Sequence, residues 1–206
     1  MSITADPDPQ AHRALGRPRS EGCRQKVLAA ADQLVMGEGF GRMSVDAIAQ
    51  LAGVSKATIY RWWPNKAAIV MEAMLASTEA DIHVPETDNP EQDVIARIRR
   101  TIALFRGPRG HVLTSLIAEA QFNPELAEAY RQLLLAPRRA AVRSALSRAI
   151  EAGLLDPALD LDMAIDLLLG PLYQRLLLRH APLDEIFERD YPPRAVAALH
   201  AFAGDR

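Results

Sequence analysis

The chain has 206 residues, 49% of them apolar, which is enough to bury a sizeable core, and its formal charge is only −2. No apolar run approaches the roughly 18 residues of a membrane span, and the N-terminus has no apolar stretch of the kind a secretory signal needs. Cys23 is the single cysteine, a small residue of the first helix, so neither an internal disulfide nor a cysteine-based metal site can form.

These features predict a cytoplasmic protein with no membrane contact, no metal and no cofactor. Ala, Leu and Arg, all strong helix formers, dominate the mix. No apolar/polar alternation is long enough to argue for a sheet, so the expected fold class is all-α. The small net charge conceals an asymmetry. Nine basic and four acidic side chains put Gln10–Lys66 at about +5, leaving about −7 for the rest. A basic front on an acidic rear fits a nucleic-acid-binding head on a body of another kind.

Residues 1–19 are expected to form a flexible basic arm. Within it, Gly16-Arg17-Pro18-Arg19 reads as extended and narrow. Arg17 and Arg19 then either enter a minor groove or meet only phosphates. Ser20 reads as the cap of a helix running to about Gly37, with Val27, Leu28, Ala31, Leu34 and Val35 as its apolar stripe. Phe40 plugs the core beside the following turn.

Ser44–Lys66 organises the rest. Ser44 caps a short helix with Val45, Ile48, Ala49 and Ala52 on one face, and Gly53 allows a sharp turn. Ser55 caps a second short helix, in which Ile59 and Trp63 point back to a core. Pro64 ends it, and Asn65 caps the next helix at Lys66. Two short helices about a glycine turn make a helix-turn-helix. With Ile59 and Trp63 buried, Ser55, Lys56, Thr58, Tyr60 and Arg61 project outward. Thr58 can offer a methyl or a hydroxyl, and Arg61 or Lys56 can read guanine.

Val27–Lys66 resembles the DNA-binding head of the TetR family of transcriptional regulators. The resemblance rests on Ala30, Ala31, Leu34, Val35, Gly39 and Phe40, on Ser44–Ser55, and on Lys56–Lys66. Trp63 stands where the family usually has Phe, and Asn65 where Ser is common. The likeness implies that Tyr60 and Lys66 grip phosphate and that Ser44 sits where the first short helix meets the DNA backbone. Trp62 takes a position that is often a backbone-facing His, and surface packing is the other reading.

The head and its connecting helix are expected over 20–81, and a ligand-binding and dimerisation domain over 82–206. Val84–Gln92 reads as an acidic loop, and Val94–Phe105 as a helix. Gly107–Gly110 reads as a break before a helix over Val112–Phe122. Asn123-Pro124 opens a long helix to Glu151, kinked at Pro137. Leu161–Arg179 is the most apolar helix, broken at Gly170-Pro171, and Pro192–Phe202 is the last. The resemblance implies that the last two long helices form a homodimer, whose two heads read a near-palindromic double-stranded operator.

Phe105, His111, Leu113, Phe122, Tyr130, Tyr173 and Arg175 are either ordinary core and surface or the wall of a cavity for a small hydrophobic effector. The expected function is a dimeric, sequence-specific DNA-binding regulator, a repressor released by such an effector. The alternatives are a DNA-binding dimer without an effector, or a helical-bundle enzyme. No phosphate loop, nucleophile elbow or carboxylate–His metal pattern supports an enzyme, and the chain is expected not to be one.

Overall fold

A computed structural model describes residues 17–201, without the side chains of 17–20 and 79–82. All regular structure among the described residues is helical. The head consists of α1 (Arg17–Glu38), α2 (Val45–Ala52) and α3 (Lys56–Tyr60), and α4 (Lys66–Ile82) leads out of it. The body follows as α5 (Pro90–Arg106), α6 (Pro108–Ala120), α7 (Pro124–Ala129), a π-helical segment Tyr130–Leu135, α8 (Ala136–Glu151), α9 (Leu161–Leu178) and α10 (Glu185–Leu199). No helix among the described residues is long and apolar enough to cross a membrane.

The head closes around Val27, Ala31, Phe40, Ile48, Ile59 and Trp63, all nearly or fully inaccessible. Ile69, Val70, Met71 and Met74 on α4 continue that core into the body, where Ile98, Ile102, Leu116, Leu146 and Leu168 carry it on. One apolar core therefore runs from the recognition unit to the far helices, with α4 as its shared wall.

Several helix boundaries depart from the sequence expectation. The first helix begins at Arg17, not Ser20, so Arg17–Arg19 is its opening turn and not an extended strand. Pro18 is compatible with that turn, because the N–H it lacks would have no partner there. Gly16 and the arm before it lie outside the described residues, as do the Arg17 and Arg19 side chains. Similarly, α5 starts at Pro90, inside the expected loop, because Asn89 caps it by accepting from Gln92 N at 3.2 Å.

Between α5 and α6 only Gly107 is non-helical, not the four residues expected. Gly110 makes so tight a joint possible. A Cβ there would lie 1.9 Å from the Phe105 carbonyl oxygen, which only glycine avoids.

Pro137 does not simply kink one long helix. The π segment precedes it and widens the backbone ladder where a proline ring would crowd the Leu133 carbonyl. In α9 the expected break at Gly170-Pro171 is absent, and the helix is continuous. Pro171 cannot donate to the Leu167 carbonyl, but the Tyr191 hydroxyl can, at 3.1 Å, with Leu168 O at 2.9 Å. Burial pushes that phenol up to about 12, so it stays protonated as a donor. Finally, α10 begins at Glu185, seven residues before the expected Pro192. Asp184 caps it, accepting from Phe187 N at 2.8 Å, and both prolines lie within the helix.

Candidate nucleic-acid interface and effector cavity

Local hydrogen bonds set the shape of the recognition unit. Ser44 Oγ accepts from Ala47 N at 3.1 Å, and Gly53 takes the left-handed conformation at φ 67°. Ser55 Oγ accepts from Thr58 N at 3.2 Å and shares a 2.9 Å hydrogen bond with Thr58 Oγ1. These caps hold a recognition helix of only five residues, too short to be stable alone. Trp63 anchors its C-terminal side by donating from Nε1 to Glu72 Oε2 on α4 at 2.6 Å. Arg24 of α1 pairs with the other oxygen of the same carboxylate, so Glu72 ties three elements together.

The outward face is as the spacing predicted except at Thr58. Ser44, Ser55, Lys56, Ala57, Tyr60 and Arg61 are exposed, while Thr58 is half-buried. Trp62 is half-buried too, edge-on to Trp63 with ring centroids 5.5 Å apart, and the Arg61 guanidinium lies 5.4 Å from its centroid. Lys56 pairs with Asp46 of α2 at 2.7 Å, and that contact raises the lysine's pKa. Arg61 has no carboxylate partner among the described residues, which leaves it the freer cation of the two.

Lys66 is not displayed beside Tyr60. Its ammonium turns inward and donates to Phe40 O at 2.8 Å and Met43 O at 3.0 Å, 4.1 Å from the Phe40 ring centroid. Burial lowers its pKa. The reason is a helix start packed against a loop: the carbonyls between α1 and α2 have no helical partner, and Lys66 supplies one. Asn65 caps α4 as expected, accepting from Ala68 N at 2.9 Å.

In the body, a cavity of about 280 Å³ lies between α4, α5, α8 and α9. Leu75, Leu135, Val142 and Leu169 make its apolar wall, with His83, Arg97, Thr101, Arg138 and Tyr173 as its polar groups. Tyr130 donates to Tyr173 Oη at 3.3 Å, and burial raises the Tyr130 phenol. Phe105 packs edge-on behind Tyr173, centroids 5.2 Å apart, as a support and not as cavity wall. Arg138 Nη2 donates to Thr78 Oγ1 of α4 at 3.2 Å; burial lowers the guanidinium's pKa, while Tyr173 and Tyr130 oppose that shift.

Tyr130 itself lines a neighbouring depression with Ile117 and Leu177, and the other expected wall residues are elsewhere too. Phe122 is 91% exposed at the turn between α6 and α7, because that turn carries it past the end of the core. His111 and Arg175 face a separate depression beside Pro182, where Arg175 donates to Pro182 O at 2.5 Å and covers the Phe187 ring at 3.7 Å. Leu113 is core. Arg97, Arg138 and Thr78 were not anticipated. Nothing local sets Arg97 or Arg138 apart from the other arginines of α5 and α8, or Thr78 from the neighbouring Ser77. Among the described residues no group of three or more His, Cys, Asp or Glu could hold a metal ion.

Comparison with known proteins agrees with this arrangement. Residues 27–73 match the family model of the bacterial regulatory proteins of the tetR family, and residues 84–192 match the tetracyclin repressor-like C-terminal domain. The chain is 37% identical to the uncharacterized HTH-type transcriptional regulator YdeS of Bacillus subtilis, over 90% of this chain and 94% of that one. It is 31% identical to the DNA-binding transcriptional repressor TetR of Mycobacteroides abscessus, over 82% and 89%. The crystal structure of the TetR family transcription regulator SCO0332 superposes with a TM-score of 0.74 at 35% identity, covering 85% of this chain and 97% of its own. With its head, its body and its recognition helix all accounted for, the chain belongs to the TetR family of DNA-binding transcriptional regulators.

Proposed function

We propose that the protein is a homodimeric repressor that binds a near-palindromic operator and leaves it when a small molecule fills the cavity between α4 and α9. The observation that carries this reading is the double role of α4. Its first turn supports the recognition unit through Lys66, and its later turns give Leu75 to the cavity wall and Thr78 to Arg138. A ligand that favours one placement of α4 thereby biases the head, provided it binds that placement more tightly.

In the proposed complex, α3 enters the major groove, with Arg61 at a base edge and Ser44, Ser55, Lys56, Thr58, Tyr60 and Trp62 on phosphates or neighbouring bases. Arg17 and Arg19 extend the contact along the backbone. Two heads about 34 Å apart would read two half-sites. The dimer forms through α9 and α10, which expose Met163, Leu167, Leu177, Leu178 and Ile186, a surface costly to leave in water. The name of the Mycobacteroides abscessus relative supports repression as the sign of control. The site of action is the cytoplasm, with the chromosome.

The test is fluorescence anisotropy on DNA from upstream of the protein's own gene and its neighbours, with analytical ultracentrifugation of the free protein. A dimer is expected, with Tyr60→Ala weakening operator and random DNA alike. Arg61→Ala should erase about 1–3 kcal/mol of the preference between them. Equal losses on both DNAs for the Arg61 variant would remove it from base reading. A monomer bound to a single half-site would defeat the dimer.

A further inference from the structure

The cavity is rich in donors, and no charged acceptor lines it among the described residues. Arg97 and Arg138 both line it, and the Nε of each is buried without a hydrogen-bond partner. Arg97 spends one Nη on Val84 O at 3.3 Å, and Arg138 spends one on Thr78. Tyr173 Oη accepts from Tyr130 at 3.3 Å. Thr101 is already committed to Arg97 O at 2.9 Å. No carboxylate lines the cavity among the described residues.

Two guanidiniums line one largely apolar cavity with no carboxylate on its wall among the described residues, and each keeps a buried Nε–H without a partner, which is costly. Taking a cation out of water is repaid only by an anion or by a full set of hydrogen bonds. Most other half-buried arginines are paired, Arg109 with Asp32, Arg148 with Asp93 and Arg24 with Glu72, and Arg175 is held instead by Pro182 O and the Phe187 ring. Arg97 and Arg138 depart from that rule, and they do so where there is room for a ligand. A guanidinium fork fits a carboxylate through two parallel hydrogen bonds, which a neutral ligand cannot match.

We propose that the ligand of this cavity is a compact organic acid, its carboxylate held by Arg97 and Arg138 and its apolar body against Leu75, Leu135, Val142 and Leu169. The proposal rests on the reading that the cavity takes an effector at all. The volume of about 280 Å³ lies at the lower edge of small-molecule sites, which favours a single ring or a short branched chain over a long acyl chain. Anion capture would also redraw the hydrogen bonds of Arg138, including the one to Thr78 on α4, so the charge of the ligand is placed where it can act on the head.

The experiment uses the full chain and matched probes: phenylacetate, cyclohexanecarboxylate and 4-phenylbutyrate, each against its primary amide, by thermal shift and calorimetry. At least one acid is expected to raise Tm and to bind roughly tenfold or more tightly than its amide, the size of a lost charged hydrogen bond. Arg138→Met and, independently, Arg97→Met should remove that preference, bringing each acid to about the affinity of its amide. Amides binding as well as acids would overturn the acid and leave the effector reading standing. Silence from every acid and every amide would overturn both. A preference for acids that survives in both variants would overturn the assignment to these two arginines.

Discussion

Arg109, at the start of α6, holds Asp32 in the middle of α1 through two parallel hydrogen bonds, Nη1 to Oδ1 at 2.6 Å and Nη2 to Oδ2 at 3.0 Å. Both side chains are about four-fifths covered, so the pair is partly shielded from solvent and joins the body directly to the head. It exists because Gly107 alone separates α5 from α6 and Gly110 lets the next turn close over Phe105. Removing one partner leaves the other charge in a poorly solvated place. Arg109→Met should therefore cost about 2–3 kcal/mol in urea unfolding. Pairing it with Asp32→Leu should recover much of that loss, and strict additivity of the two changes would contradict the coupling.

Lys66 offers a contrast between two roles that salt dependence separates. As the inward strut described above, Lys66→Met should lower folding stability by about 1–3 kcal/mol, since it strands the Phe40 and Met43 carbonyls. The slope of log K against log salt for operator binding should stay as it is. A slope that falls by about 0.9 would show that Lys66 neutralises a phosphate in the complex.

Asp93 links stability to pH. It is 2% exposed and receives Thr87 N at 3.0 Å, Thr87 Oγ1 at 2.6 Å and Arg148 Nη1 at 2.9 Å. Burial alone would raise its pKa, but the Thr87 and Arg148 hydrogen bonds together hold the carboxyl below its ordinary value. A carboxyl depressed in the folded state adds stability above its unfolded pKa of about 3.9, and that stability fades as pH falls through the lower folded value. Thermal melts of Asp93→Asn should be flatter with acid than wild type between about pH 5 and 2, and less stable at pH 7. Parallel curves would exclude Asp93 as a source of acid sensitivity.

Tyr191 keeps α9 whole across Pro171. Tyr191→Phe should destabilise the protein by about 1 kcal/mol, the net worth of one hydrogen bond, because the Leu167 carbonyl then loses its donor. Pro171→Ala restores a backbone N–H at that place, so the same Tyr191 change should cost less in its presence. A double-mutant cycle in urea reads this coupling, and zero interaction energy would dismiss the link.

The parts legible in the sequence were those whose causes are local. Ser44, Gly53, Ser55 and Asn65 each act within three residues or through their own backbone, and the structure places every one as their spacing implies. The illegible parts depend on partners far along the chain. Nothing near Pro171 announces that Tyr191 will replace its missing donor. Nothing near Lys66 shows that its ammonium will close on carbonyls 23 and 26 residues earlier. The cavity shows the same limit. Aromatic content pointed to Tyr130 and Tyr173, whose hydroxyls do meet, but also to Phe122, which the α6–α7 turn carries into solvent. Arg138 looked like one more surface arginine of an Arg-rich helix until α4 and α9 were packed around it.

The unbroken apolar core through α4 limits how such proteins can be recombined. Met71 and Met74 are fully covered because head and body both press on them. A chimera that grafts residues 20–81 onto a foreign body would keep the reading surface but lose the mate for half of α4, and Asp32 would face no Arg109. The head is not an interchangeable cassette. Operator preference is better redirected by changing a few outward side chains of α3 in place, leaving α1 and α4 matched to the body they already fit.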